Sequence, residues 1–299
     1  MNYTANDPSY LNALSVESII SAQQDLYDNF YYNNDAAVGQ SEPIRVVYDG
    51  SFVTSTLDST SPFPKVSKPV LISTVQNEAG PAIYRGIPNV LPEEQLQTIV
   101  NGTFGSPRTQ QLMSSRRYTV PAGSNLKTSD ARTQLEQMGT DYIWKCASWT
   151  FARNYVQNGG EAYVGMYVVG ATYPSNDQVP YCTQNGAVCH QDDIEIVVRS
   201  FLLPPLVLCT NPHFLLLQFG TVPNPTAIQS RLTTEMQARY KSFLAYGNPN
   251  PSGYPAWAPA TATDVHALSL GGSGEVAADN CDPNFWGKAV QYDYQFYNL

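Results

Sequence analysis

Two apolar runs restrict how this chain can fold. Lys68-Pro-Val-Leu-Ile-Ser-Thr-Val75 carries branched or apolar residues in succession, and Glu161-Ala-Tyr-Val-Gly-Met-Tyr-Val-Val-Gly170 repeats the pattern. Unbroken runs of this length, without polar alternation, read as strands buried on both faces, as in a parallel sheet. The segments between them have a helical period. Pro92 to Val100 opens on a proline and two acids, which suit a helix N-terminus. Ser129 to Gln157 reads as one or two helices, with Leu135, Met138, Tyr142, Ile143, Ala147, Phe151 and Tyr155 as apolar points, ended by Gly159-Gly160. Two further helices are expected. One spans Ser15 to Tyr31, with Val16, Ile19, Ile20, Leu26 and Phe30 near one face. The other spans Thr234 to Tyr246, with Met236, Tyr240, Phe243 and Leu244 on a face and Gly247-Asn-Pro as its stop. Arg45 to Tyr48 is a short extended run closed by the turn Asp49-Gly50. The pattern is that of an α/β fold.

At 299 residues, with 42% hydrophobic and 14% charged residues, the chain has the composition of a globular protein. Its net charge of -9 excludes a basic surface for nucleic acid or anionic lipid. Low charge with 20 tyrosines and 22 prolines suits a secreted protein, and Asn2 and Asn101 open Asn-x-Thr sequons that accept glycans. Against that, the chain opens with neither a basic start nor an apolar signal segment. There is no internal repeat and no Gly-rich phosphate loop, and no cofactor is expected.

Chemistry concentrates in Tyr181-Cys-Thr-Gln-Asn-Gly-Ala-Val-Cys-His190-Gln-Asp-Asp-Ile-Glu-Ile-Val197, which holds one of three histidines. Cys182 and Cys189 could close a small loop beside His190. An imidazole is suited to general-base work because its pKa lies near neutral. Judged alone, the segment reads more readily as a loop with a histidine that has no partner. Glu78, in the loop that ends the first apolar run, lies where functional loops gather in open α/β sheets, though a single loop acid is more often simply solvated. A metal site from Cys189, His190, Asp192 and Asp193 is a further option, but it lacks paired Cys-x-x-Cys or His-x-x-x-His spacing.

Five segments, taken in order, resemble the C-terminal half of a type-B carboxylesterase, the family of cholinesterases and fungal lipases. They are Val47-Tyr-Asp-Gly-Ser-Phe52, Val75-Gln-Asn-Glu-Ala-Gly80 and His190-Gln-Asp-Asp-Ile-Glu-Ile-Val197 resumed at Phe219-Gly220. Met236 to Asn250 with Tyr254-Pro-Ala-Trp257 follows, and then Cys281-Asp-Pro-Asn-Phe-Trp286. The resemblance covers 14–197 and 219–299 and implies a single, incomplete α/β-hydrolase domain over 1–299. It implies Glu78 as catalytic acid, His190 as base, a carboxylic ester or lipid as substrate, and extracellular placement. It also implies disulfides Cys146–Cys281 and Cys182–Cys189, leaving Cys209 free. The order acid before histidine is that of an α/β-hydrolase triad. The family's nucleophile motif, Gly-x-Ser-x-Gly, does not occur; Gly271-Gly-Ser-Gly-Glu275 lacks the last glycine and follows the histidine. The Gly-rich oxyanion loop is absent too. The expectation is therefore a chain that starts after both, from an internal start at Met1, and retains acid and base without acylating. A non-enzymatic binding or adhesion module is the competing reading, and the retention of both Glu78 and His190 weighs against it.

Residues 198–218 interrupt the family phrase with an apolar stretch that contains Cys209 and His213. Pro204-Pro205 and Asn211-Pro212 break it as a membrane span, and it is barely long enough for one. A lid is usually amphipathic, whereas this stretch is apolar throughout. A translated intron fits better, since every valine codon begins GT and one glutamine codon ends AG, so Val198 and Gln218 are compatible with splice borders. Such a stretch is expected to bulge out as an irregular, exposed apolar loop. Mature transcripts lacking these 21 codons are the expected result; transcripts that all retain them would restore the lid.

Overall fold

A computed structural model describes residues 12–29, 50–51, 66–119, 129–184, 186–197, 222 and 224–296. The segment at 45–48, most of Val47–Phe52, the apolar stretch 198–218, Cys209 and Asn2 lie outside the described residues. In chain order the elements are α1 (Val16–Asn29), β1 (Val70–Val75), α2 (Gly80–Gly86), α3 (Glu93–Phe104), α4 (Ser106–Ser114), α5 (Arg132–Gly139), a π-helical turn (Thr140–Lys145) and α6 (Cys146–Gln157). There follow β2 (Ala162–Tyr167), α7 (Ile194–Val197), α8 (Ala227–Tyr246), β3 (Leu268–Leu270) and α9 (Asp293–Phe296), with short 3-10 turns at Pro174–Asn176 and Asp279–Cys281.

The three strands form one parallel sheet in the order β1-β2-β3. Register runs from Val70 opposite Ala162 to Val75 opposite Tyr167, and from Gly165 opposite Leu268 to Tyr167 opposite Leu270. Parallel neighbours need long crossovers, and the helices supply them. β2 is buried at every position, whereas the first four residues of β1 are only half-buried. The reason is position: β1 is an edge strand among the described residues, and only its end dips fully into the core.

Alternation along β2 divides the core between the two faces of the sheet. Ala162 and Val164 join a cluster with Leu96, Phe104, Trp149 and Trp286. Tyr163 and Tyr167 join a second, with Val75, Leu232, Met236 and Trp257. Trp257 is wholly buried and its indole N–H donates to the Val164 carbonyl at 2.7 Å. Gly165 makes that approach possible, because a Cβ there would meet the Trp257 ring at 2.8 Å.

The helix expected from Thr234 begins earlier. Thr226 caps it through a reciprocal box with Gln229, adding two turns before Thr234. Leu244, counted on the buried face by periodicity, is 82% exposed, whereas Phe243 on the same turn packs against the cluster around Tyr163 and Trp257. Gly247 then ends the helix in the left-handed conformation at φ 73°. Arg239, wholly buried on α8, donates to the Pro249 and Pro255 carbonyls at 3.0 and 2.8 Å and pairs with Glu235 at 2.7 Å, so the turn after the helix folds back upon it. Helix α1 forms with Ser15 accepting from the Ser18 N–H, but Val16, Ile19 and Ile20 are exposed among the described residues rather than packed.

Cys146 and Cys281 are bonded across 135 residues, and both are buried. Beside them the Tyr118 hydroxyl accepts from the Trp286 indole and donates to Asp141, each at 2.9 Å, which fastens the C-terminal segment to the helical layer. Replacing Cys146 and Cys281 together by Ala is expected to lower the unfolding free energy by about 2–5 kcal/mol, since a long loop is released in the unfolded chain. The denaturant midpoint measures it; an unmoved midpoint would show that packing alone holds the segment.

Candidate active site at the carboxyl end of β1

The end of β1 turns within three residues. Gln76 still donates its N–H to the Tyr167 carbonyl at 3.1 Å, continuing the sheet pairing. Asn77 then leaves β2 and pairs with the loop before His190. Its N–H donates to the Val188 carbonyl at 2.8 Å and its side-chain oxygen accepts from the Val188 N–H at 3.1 Å. Glu78 follows and folds back, with Oε1 accepting from the Val75 N–H at 2.9 Å. Its side chain is 7% exposed, so it is not a solvated loop acid.

The second carboxylate oxygen, Oε2, lies 2.6 Å from His190 Nδ1. The structure thus brings together the two residues singled out in the sequence, 112 positions apart. His190 is itself 47% exposed. Its pKa is raised above the ordinary 6.5, chiefly by the hydrogen bond to Glu78, against partial burial, with further help from the charges of Glu78, Asp193 and Asp192. With Nδ1 held by a carboxylate, the tautomer is set and the other ring nitrogen is free to take a proton. The Trp144 ring, on the π-helical turn, stands 5.6 Å from the imidazole.

The His190 loop is stapled and capped. Cys182 and Cys189 are bonded seven positions apart. Asp192, one of the acidic pair, is buried and turned inward. It accepts from the Cys189 N–H at 2.7 Å, the Tyr173 N–H at 2.8 Å and the Asn176 amide at 2.9 Å. The same Asn176 amide donates to the His190 carbonyl at 2.8 Å. Burial pushes both Asp192 and Asp193 above the usual carboxylate range. A metal centre at Cys189, His190, Asp192 and Asp193 is ruled out by these bonds: the Cys189 sulfur belongs to a disulfide and the Asp192 oxygens are taken by N–H donors. Asp264, His266 and Glu275 are another group among the described residues that brings one ligand atom each within 4.8 Å of the others, on a partly exposed turn.

Sequence reasoning missed the layer behind the pair. Glu136 on α5, Thr140 on the π-helical turn and Tyr181 on the base loop converge there. Glu136 sits in a polar helical stretch, where an acid ordinarily faces solvent, and its burial has no signature in the sequence.

The carboxylesterase family model matches residues 2–286. The chain belongs to the carboxylesterase family. That membership accounts for the parallel α/β sheet as part of an α/β-hydrolase and points to esters as the substrate class. The two disulfides fit an oxidising compartment. Among the described residues no helix is long and apolar enough to cross a membrane.

The raised His190 pKa has a consequence for stability. A group with a higher pKa in the folded state stabilises fully below its unfolded value, and this contribution fades as pH rises through the folded value. The carboxylesterase chain should therefore lose stability as pH climbs from about 6.5 through the raised His190 pKa. Glu78→Gln should flatten that part of the profile, and half-exposure of the ring keeps the effect modest. Urea midpoints between pH 5 and 9 measure the difference; parallel profiles for the two proteins would contradict the pairing.

Proposed function

We propose that Glu78 and His190 are the acid and base of a serine carboxylic-ester hydrolase, and that the 299-residue chain alone does not complete the reaction. The observation that carries the reading is the 2.6 Å contact between His190 Nδ1 and a buried Glu78 whose other oxygen is fixed by backbone. In the reaction, His190 takes the proton of a serine hydroxyl as that oxygen attacks the ester carbonyl. Glu78 stabilises the imidazolium that forms, and His190 then returns the proton to the departing alcohol. Water repeats the cycle to release the acid. Nothing in this cycle calls for a cofactor or metal.

The sequence contains no Gly-x-Ser-x-Gly, so nucleophile and oxyanion donors are assigned to polypeptide outside these 299 residues. Among the described residues no strand pairs with the outer side of β1, which leaves backbone groups there for a further strand. A carboxylic ester or lipid is the substrate class proposed, the protein is placed outside the cell, and Asn101, exposed on α3, is a glycan acceptor together with Asn2. A binding module needs no histidine held on a buried carboxylate, and the contact therefore favours the enzyme.

The purified 299-residue chain should not turn over a p-nitrophenyl ester. The gene product extended upstream through a Gly-x-Ser-x-Gly segment should do so. In that longer chain Glu78→Gln is expected to lower kcat by about 10⁴-fold, by analogy with loss of a triad acid. Turnover by the 299-residue chain, or full activity in the longer His190→Ala protein, would refute the assignment.

A further inference from the structure

Glu136 lies behind the Glu78–His190 pair at 2% exposure. It connects to both neighbours of Glu78 and to the loop that leads to His190. Its Oε1 accepts from the Thr140 hydroxyl at 2.9 Å, and the Thr140 oxygen in turn accepts from the Ala79 N–H at 3.0 Å. Its Oε2 accepts from the Tyr181 hydroxyl at 3.4 Å, and the Tyr181 oxygen accepts from the Asn77 amide at 2.9 Å. Asn77 and Ala79 are the two neighbours of Glu78. Tyr181 opens the stapled loop that presents His190, and Asn77 also clasps Val188 from that loop.

The chemistry of these groups sets a direction. An ionised carboxylate only accepts hydrogen bonds, whereas a hydroxyl can donate or accept. With Glu136 at the centre, both hydroxyl protons point inward. The lone pairs of Thr140 and Tyr181 are then left to receive the Ala79 N–H and the Asn77 amide. Stacking of Tyr181 on Tyr84 at 4.1 Å holds the phenol in place, and Arg132 lies over the outer face of Tyr84 at 4.7 Å.

We propose that Glu136 is a positioning residue for the Glu78–His190 pair, acting through Thr140 on the acid loop and through Tyr181 and Asn77 on both loops. Its importance to turnover rests on the catalytic reading of that pair; its effect on their geometry does not. Burial is the main cause that pushes the Glu136 pKa up, to about 7, so the carboxylate is in its acceptor-only form above neutrality. The ionisable groups that bear upon it are Asp141, Tyr181 and Tyr84, and those that bear upon His190 are Glu78, Asp192 and Asp193.

The test uses the folded 299-residue chain and needs no ester. At pH 8, NMR of histidine-labelled protein reads the His190 Nδ1–H resonance, shifted downfield by its short bond to Glu78, and a titration reads the His190 pKa. Glu78→Gln supplies the reference in which both signatures are lost. Glu136→Gln keeps the size of the side chain but replaces one acceptor by a donor, forcing one hydroxyl to reverse. Tyr181→Phe cuts one branch and keeps the ring stack. Loss of the downfield resonance, or return of the His190 pKa toward its ordinary range, in either folded variant is the expected result. Persistence of both signatures in Tyr181→Phe, together with persistence in Glu136→Gln or failure of that variant to fold, would overturn the proposal and leave Glu136 as buried packing. Failure of the upstream-extended chain to hydrolyse esters would remove the esterase reading without touching this outcome.

Discussion

The site depends on one backbone pairing, that of Asn77 with Val188. β1 leaves its partner β2 after Gln76 and would otherwise end there. Instead Asn77 exchanges hydrogen bonds with the strand-like residues just before His190, using its main chain for one and its side-chain amide for the other. Glu78 is the next residue after this clasp on one side, and His190 comes two residues after it on the other. Their separation is therefore set by main-chain geometry before either side chain chooses a rotamer. The disulfide at Cys189 and the Asp192 cap shorten the remaining freedom of the loop. Effective acid–base chemistry needs such prior placement, because a base is useful only within hydrogen-bond reach.

Much of this scaffold was legible. β1 and β2 announce themselves as apolar runs because parallel strands covered on both faces have no polar side to alternate with. β3 escaped notice: Leu268-Ser-Leu270 is three residues long, and Gly271-Gly-Ser-Gly274 after it reads as turn. The start of α8 was missed because its signal is a cap at Thr226 rather than an apolar period. Leu244 shows the opposite error: at roughly 100° per residue it sits about 80° round the helix from Met236, and among the described residues it is exposed while Phe243 beside it packs inward.

Within the site, Glu78 and His190 were legible because the family phrases around them survive as contiguous text. Asp192 was noticed only as a charge; its work as a cap on three N–H donors follows from the fold of the loop. Glu136, Thr140 and Tyr181 could not have been grouped from the sequence. They come from two separate stretches, and a buried glutamate looks no different on paper from one that faces water. Periodicity reports which face of a helix is apolar, so a polar residue on the wrong face is what it is least able to reveal.

The Cys146–Cys281 bond has a bearing on how the chain is made. Cys182 and Cys189 follow Cys146 by only a few dozen residues, whereas Cys281 lies 135 residues downstream of it. As the polypeptide emerges in order, Cys146 waits through 135 residues for its partner, with other thiols that could capture it emerging first. The tight seven-position spacing of Cys182 and Cys189 gives those two a high local concentration for each other, so early closure of the base loop removes two of the three thiols that emerge between Cys146 and Cys281. The small staple beside His190 is thus expected to narrow the partners open to Cys146 before the last stretch of chain arrives.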